Sequence, residues 1–451
     1  MCKLSKKMDS DRLGGSISSE ETNNGAEIHS VQNPPRKAST PRIWMVVFIG
    51  FVAILFTIIW LSVWLYLQDI IWSNDFVINN RWMIPLLVIL FSLMVGLCVK
   101  YLRAPTVIKG SMSESLEEEQ TDYRTFLGTL LSSFFSLLSG ATVGPEGPLG
   151  FLIREITAWF EEKLKLAKET WLGYSIAALA SAYNGIIGNP IFTAVFVTEV
   201  SPKKNLSFLI WNLLAGVIGF LVYLFLGFQS FLGVTQFPLI DQVNLVYIAY
   251  AIIFGALGAF LAIFIALWFQ FFDKVMSRFK DKVIQRILIA GAIIAIVVYF
   301  VPQVMFSGED QIHEIIADYA QYGIWMLLLF ALLKVILFSL SFKSGYLGGP
   351  IFPTLFTCTM LALALSLAFP SVPIVILVLC IEAAAVSLAL NAPLTSILLV
   401  TVVASTGSVN EFLIGLIVLA TVVSIIIGAG IKRLMSDRAK RRAIPVAKSV
   451  E

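Results

Sequence analysis

Charge is scarce in this sequence. Asp, Glu, Lys and Arg make up 14% of its 451 residues, about half the share of an ordinary soluble domain, and that excludes a water-facing globular protein. Cysteine is nearly absent as well. Cys2, Cys98, Cys358 and Cys380 are scattered, three of them in apolar segments, with neither disulfide nor metal-site spacing. His313-Glu314 opens like a zinc-protease helix, but Ala317 stands where the second histidine belongs, so no metal or cofactor is expected. No nucleophile, metal or acid pair sits at a useful spacing either, and an enzyme is not expected. The net charge of +3 is too small to support nucleic-acid binding.

Hydrophobic residues fill the gap, at 58% of the chain and a mean hydropathy of +0.86. A polytopic membrane protein follows. Runs of spanning length cover Ile43 to Leu67, Trp82 to Val99, Leu206 to Gly227, Leu245 to Phe272, Ile287 to Val301, Ile324 to Phe342 and Phe412 to Ile431. Phe126 to Leu138, Ile191 to Val200, Ile351 to Leu363 and Pro393 to Val403 are shorter and bordered or interrupted by glycine or proline, as half-helices would be. Residues 1–42 are polar and almost free of aromatics, the composition of a disordered tail. A cleaved signal peptide is not expected, because the first apolar run comes late and is too long.

Basic residues set the expected orientation. Arg36, Lys37 and Arg42 precede the first span, and Lys432, Arg433, Arg438, Lys440, Arg441 and Arg442 follow the last, which predicts cytoplasmic termini in a cell membrane. The loop carrying Lys274, Arg278, Lys280, Lys282 and Arg286, and the turn with Lys203 and Lys204, are expected on the same side as solvated loops. Asn205-Leu206-Ser207 fits a glycosylation sequon, but it adjoins those lysines and is read as accidental.

A repeated plan organises the rest. Gly144-Pro145-Glu146-Gly147-Pro148-Leu149-Gly150 is followed, 45 residues after Gly144, by Asn189-Pro190-Ile191-Phe192. In the second half Gly348-Gly349-Pro350-Ile351-Phe352-Pro353 is followed, 43 residues after Gly348, by Asn391-Ala392-Pro393-Leu394-Thr395. Two halves, about 43–235 and 236–433, with helices broken in matching places predict a site near the bilayer midplane where helix ends meet. The remaining residues, 434–451, read as a basic tail.

Broken helices carry a chemistry. Their first N–H groups lack backbone partners and the dipole leaves about half a positive charge there, so convergent N-termini bind an anion without a full cation. Glu146 sits at such an N-terminus, and an ionisable group at membrane depth is costly unless it has a task. Ionised, its carboxylate takes the anion's place; protonated, it lets go. The plainer account of Glu146 is a capping carboxylate at a membrane surface.

At these residues the chain resembles the chloride channel and chloride/proton antiporter (CLC) family, over roughly Trp44 to Arg433. Gly144-Pro145-Glu146-Gly147-Pro148 is similar to its G-[KR]-E-G-P segment, with Pro145 in place of the basic residue. Ser344-Gly345-Tyr346-Leu347-Gly348-Gly349-Pro350-Ile351-Phe352-Pro353 looks like its S-G-x-x-G-G-x-F-x-P stretch. Asn391-Ala392-Pro393-Leu394-Thr395 resembles its later A-P-L-T helix start, and Ser307-Gly308-Glu309 also fits. The resemblance implies an all-helical, CLC-like inverted-repeat fold with broken and partial helices, a homodimer in the lipid bilayer with one pathway per subunit, and passage of small inorganic anions. It also implies Glu146 as gate, with anion contacts from Gly144, Pro145, Gly147, Ile351, Phe352, Thr106 and Val107.

Four departures qualify that expectation. Ala104 to Gly110 lacks the family's anion-contacting serine, with Thr106 as its replacement. Pro350 falls among the amides expected to face the anion. No tyrosine follows Tyr346, so an aliphatic residue near Ile425 to Ile427 stands for the family's late pore tyrosine. Val200 occupies the position of the internal proton-transfer acid, which favours a channel over a tightly coupled antiporter. Glu199 is the remaining candidate for a proton path, or else an ion-pair partner of Lys203. Lys334 and Glu382, isolated in apolar segments, are either structural or on the pathway.

Chloride is the default ion. Chloride/proton or fluoride/proton antiport is the alternative, and a non-transporting scaffold or receptor the alternative of another class. No C-terminal regulatory domain is expected in the residues after the last span.

Overall fold

The computed structural model describes residues 42–106, 122–165, 168–201, 207–228, 244–404 and 410–443. The expected tail before residue 42, Val107, Lys203, Lys204 and Asn205 lie outside the described residues. Within them the chain is helical, and the one strand-like feature is an isolated antiparallel bridge between Gly144 and Gly349.

The first half contains α1 (Ile43–Trp72), α2 (Met83–Tyr101), α3 (Phe126–Leu138), α4 (Glu146–Leu164), α5 (Lys168–Ala182), α6 (Pro190–Val200) and α7 (Ser207–Phe225). The second contains α8 (Val246–Met276), α9 (Val283–Phe300), α10 (Glu309–Ala317), α11 (Tyr319–Ser344), α12 (Ile351–Ala368), α13 (Ile374–Leu390), α14 (Pro393–Val403) and α15 (Glu411–Ala443). Packing repeats with the sequence. In the first half α5 is flanked by α1 and α7, and in the second α13 is flanked by α8 and α15. The short helices α6 and α14 each lie against the long helix that follows them and against each other.

Among the described residues eight helices are long and apolar enough to cross a membrane, and their outward faces carry large exposed apolar side chains such as Phe225, Phe300 and Trp325. A surface of that kind is stable against lipid rather than water, and the protein is a multi-pass membrane protein.

Several expected boundaries hold closely. α3 covers Phe126–Leu138, and the helical backbone of α11 is interrupted at Gly323 (φ 69°, ψ 170°), one residue before the expected start at Ile324. Two expectations need correction. The run from Ile351 was read as ending at Leu363, but α12 continues to Ala368. Ala364, Leu365 and Leu367 are good helix formers, so one Ser366 does not stop the helix before Phe369-Pro370. Arg286, read as part of a solvated loop, lies in the first turn of α9 and is buried. Its charge is offset locally, because Nε donates to the Ser344 carbonyl at 2.9 Å.

The two short helices start differently. For α6, the Asn189 side chain accepts from Phe192 N at 2.9 Å and Pro190 occupies the first turn, the usual chemistry of a helix N-terminus. In the second half Asn391 is instead the left-handed residue that ends α13 (φ 53°), and Ala392 precedes α14 with no side-chain acceptor. The missing cap comes from the other repeat. Glu199, at the end of α6, accepts from Leu394 N at 3.1 Å, Thr395 N at 2.7 Å and Thr395 Oγ1 at 2.8 Å. Replacing Glu199 with Ala is expected to destabilise the protein by about 0.5–2 kcal/mol, the usual cost of losing an N-cap. Adding Ala392→Ser should recover part of it. Thermal unfolding in detergent checks both, and no loss in the single variant would remove the capping role.

Candidate functional site

The site forms where the Gly/Pro breakers of the two halves interlock. Gly144 N donates to Gly349 O at 3.0 Å and Gly349 N to Gly144 O at 2.8 Å, which ties the start of α4 to the start of α12. Each strand of this crossing is pinned further. Leu347 N donates to Ser136 Oγ at 3.0 Å, and Tyr346 Oη donates to Ser92 Oγ at 2.6 Å. Tyr183, on the turn after α5, donates from Oη to the Glu146 carbonyl at 2.9 Å, and its ring packs edge-on against Phe196 of α6.

Glu146 is the first residue of α4 and only 2% exposed. Its side chain reaches across to the other repeat, where Oε1 accepts from Ile351 N at 2.6 Å. That N–H is the first donor of α12, one of the groups a helix start leaves without a backbone partner. Oε2 has no hydrogen-bond partner among the described residues. The carboxylate of one repeat therefore lies on the first free amide of the other.

Of the expected contact residues, Gly144, Pro145 and Gly147 surround the Glu146 turn, and Ile351 and Phe352 open α12. Pro350 does not remove a donor from that helix. It sits just before the first turn, and its carbonyl accepts from Thr354 Oγ1 at 2.7 Å. Thr106 lies next to Gly345, where Arg286 Nη2 also approaches. Among the described residues this Nη2 has no hydrogen-bond partner. Sequence reading missed both Arg286 and Tyr183, for no spacing marks either. Ile425 and Ile426 are exposed on α15, and Val200 is buried.

Lys334 is tied to the backbone of the turn before α10. Fully buried, its Nζ donates to the carbonyls of Val304, Met305 and Phe306 at 3.3, 3.1 and 2.9 Å and lies 4.4 Å from the centre of the Phe356 ring. It fixes the turn that leads through Gly308 to Glu309, whose carboxylate accepts from Ser307 Oγ.

Residues 91–429 match the family described as voltage gated chloride channel. The chain belongs to that family. Among curated relatives, it is similar to an uncharacterized protein of Methanocaldococcus jannaschii, at 26% identity over 246 residues. It is also similar to YfeO, a protein of Salmonella typhimurium named for ion transport, at 28% over 261 residues. These matches cover 53% and 56% of this chain, and the chain spans 59% and 62% of the length of the relatives. Among solved structures, the fold is that of a slow cyanobacterial Cl-/H+ antiporter, with TM-score 0.71 and 18% identity over 87% of this chain and 95% of the other. A CLC-type fluoride/proton antiporter gives 0.70 at 18%, covering 85% and 94%, and a eukaryotic CLC transporter 0.65 at 15%, covering 86% and 71%.

Proposed function

We propose that this protein carries small inorganic anions across the cell membrane, chloride first, with Glu146 as the gate. The observation that supports this most directly is the 2.6 Å bond from Ile351 N to the Glu146 carboxylate, made between the two repeats at a helix start. Amides at a helix N-terminus attract a negative charge without holding it as tightly as a full cation does, which suits an ion that must also leave. Protonation cancels the charge of Glu146, and its hold on the amide then weakens. The two basic flanks favour cytoplasmic termini, and family membership favours a homodimer with one pathway per subunit.

Along α6 the route is channel-like. Val200 carries no proton, and the Glu199 carboxylate already caps α14. A second reading, anion/proton antiport with chloride or fluoride, is supported by buried carboxylates elsewhere in the fold and is developed below.

Purified protein in liposomes tests the proposal. Efflux of chloride, nitrate or fluoride down a gradient is expected, at rates that rise as the pH falls. Absence of flux for every anion, from protein with an intact thermal transition, would leave only the scaffold or receptor reading.

A further inference from the structure

Behind the first turns of α12, on the α10 and α13 side, lies a mostly apolar cavity of about 20 Å³ with a few polar groups in its wall. That is space for a single water molecule. Its walls include two carboxylates from different elements, Glu309 of α10 and Glu382 of α13, together with Thr359, His313 and Phe352. Phe352 directly follows the residue whose amide holds the Glu146 gate. Glu382 is 3% exposed, and its Oε2 is buried with no hydrogen-bond partner among the described residues. A buried carboxylate oxygen left unbonded beside a water-sized space calls for an occupant.

The contacts of Thr359 say more. Its hydroxyl lies 2.7 Å from Glu382 Oε1 and 2.9 Å from the Leu355 carbonyl. One hydroxyl proton serves one of these acceptors fully. Both contacts become complete hydrogen bonds when Glu382 is a carboxylic acid that donates to Thr359, leaving the threonine proton for Leu355. The neutral acid also avoids a bare charge in an apolar wall.

We propose that Glu382 and Glu309, joined by a water in this cavity, form a proton relay to Glu146 that bypasses Val200. This rests on the reading of Glu146 as the anion gate. In the transfer step the Glu382 carboxyl turns so that its O–H leaves Thr359 for the cavity, and that O–H bond breaks as the proton passes to the water. The water releases one of its own protons to Glu309, forming a new O–H bond there, and Glu309 passes it on to Glu146. No electrons change hands, and the relay resets when a proton enters past His313, which is half-buried on the cavity wall. Glu309 and Glu146 both lie at the first turn of α12, Glu309 with Phe352 in the cavity wall and Glu146 on the Ile351 amide.

The other ionisable groups facing the relay have separate places. Asp310 and His313 share α10 with Glu309, Lys334 of α11 binds the Phe306 carbonyl three residues before Glu309, and Cys358 precedes Thr359 on α12. Lys334 holds three carbonyls, so it serves as a fixed positive neighbour that steadies Glu309 rather than as a carrier.

The test measures chloride flux and proton uptake together in liposomes, for wild type, Glu382→Gln, Glu309→Gln and Glu382→Asp. Wild type is expected to take up protons against their gradient when chloride flows. Glu382→Gln and Glu309→Gln should keep chloride flux within about twofold while proton uptake falls about a hundredfold, the scale of a lost proton-transfer group. Glu382→Asp should restore part of it. Chloride flux without proton uptake in wild type, or unchanged uptake in both Gln variants, overturns the relay while leaving a gated channel intact.

A second readout needs no flux. Infrared difference spectra across a pH jump should show a carboxylic-acid band that Glu382→Gln removes and whose midpoint moves in Glu146→Gln. A merely structural Glu382 would give no such coupling, and its absence overturns the proposal even if no anion is transported.

Discussion

Glu146→Gln should abolish the acid activation of anion flux. In wild type at high pH the ionised carboxylate competes with the permeant anion for the Ile351 amide, which it holds at 2.6 Å. A hydrogen bond to a charged group contributes about 1.5–3 kcal/mol, against about 0.5–1.5 for a neutral one. Removing the charge therefore weakens the plug by roughly 1–2 kcal/mol, or about five- to thirtyfold in favour of the anion. The sign follows from the competition. Wild-type flux is low at alkaline pH and rises as Glu146 takes a proton, whereas the glutamine variant stays at the raised level throughout. Glu146→Ala, with no plug at all, should be at least as fast and equally flat. Chloride efflux from liposomes across a pH series decides this, and a wild-type pH profile in a folded Gln variant would remove Glu146 as the gate.

The sequence made the breakers legible because they break a rule. A carboxylate among glycines and prolines in an apolar chain is costly at membrane depth, so Glu146 stands out in the sequence, and the matching order of Gly/Pro segments points to a meeting of helix ends without naming the amide that holds it. Glu199 was harder. Its partner amides are nearly 200 positions along the chain, and the reason for the contact is that Ala392 cannot cap its own helix, a local deficiency whose remedy lies in the other repeat. Arg286 was misplaced for a related reason. It closes a run of basic residues that reads as a loop, and only the turn at Ser344 folding back on α9 supplies the carbonyl that allows it to be buried. Glu382 was visible as an isolated charge, but its water-sized cavity is assembled from α10, α12, α13 and the end of α14, a three-dimensional fact with no periodicity in the chain.

Two alanine substitutions a few ångströms apart should fail in opposite ways. At Gly147 an added Cβ would lie 2.2 Å from the Gly348 carbonyl oxygen and 2.3 Å from its carbon. Both are backbone atoms in the crossing held by the Gly144–Gly349 bridge, so neither can yield without parting the two repeats. Gly147→Ala is expected to cost about 3 kcal/mol or more, the upper range for overpacking, and to appear as a lowered thermal transition and lost flux. At Gly349 the added Cβ would instead meet Cδ, Oε1 and Cγ of Glu146, at 2.3, 2.4 and 2.5 Å. Those atoms belong to a side chain that can rotate away. Gly349→Ala should therefore fold, displace the carboxylate from Ile351, and give flux with the weak pH dependence of Glu146→Ala. Gly430→Ala is the control, since nothing lies within 4 Å of its added carbon and alanine is the better helix former. Thermal unfolding and pH-dependent flux measured on the three variants separate the roles, and a folded, wild-type-like Gly147→Ala would show that the interlock tolerates more room than its distances allow.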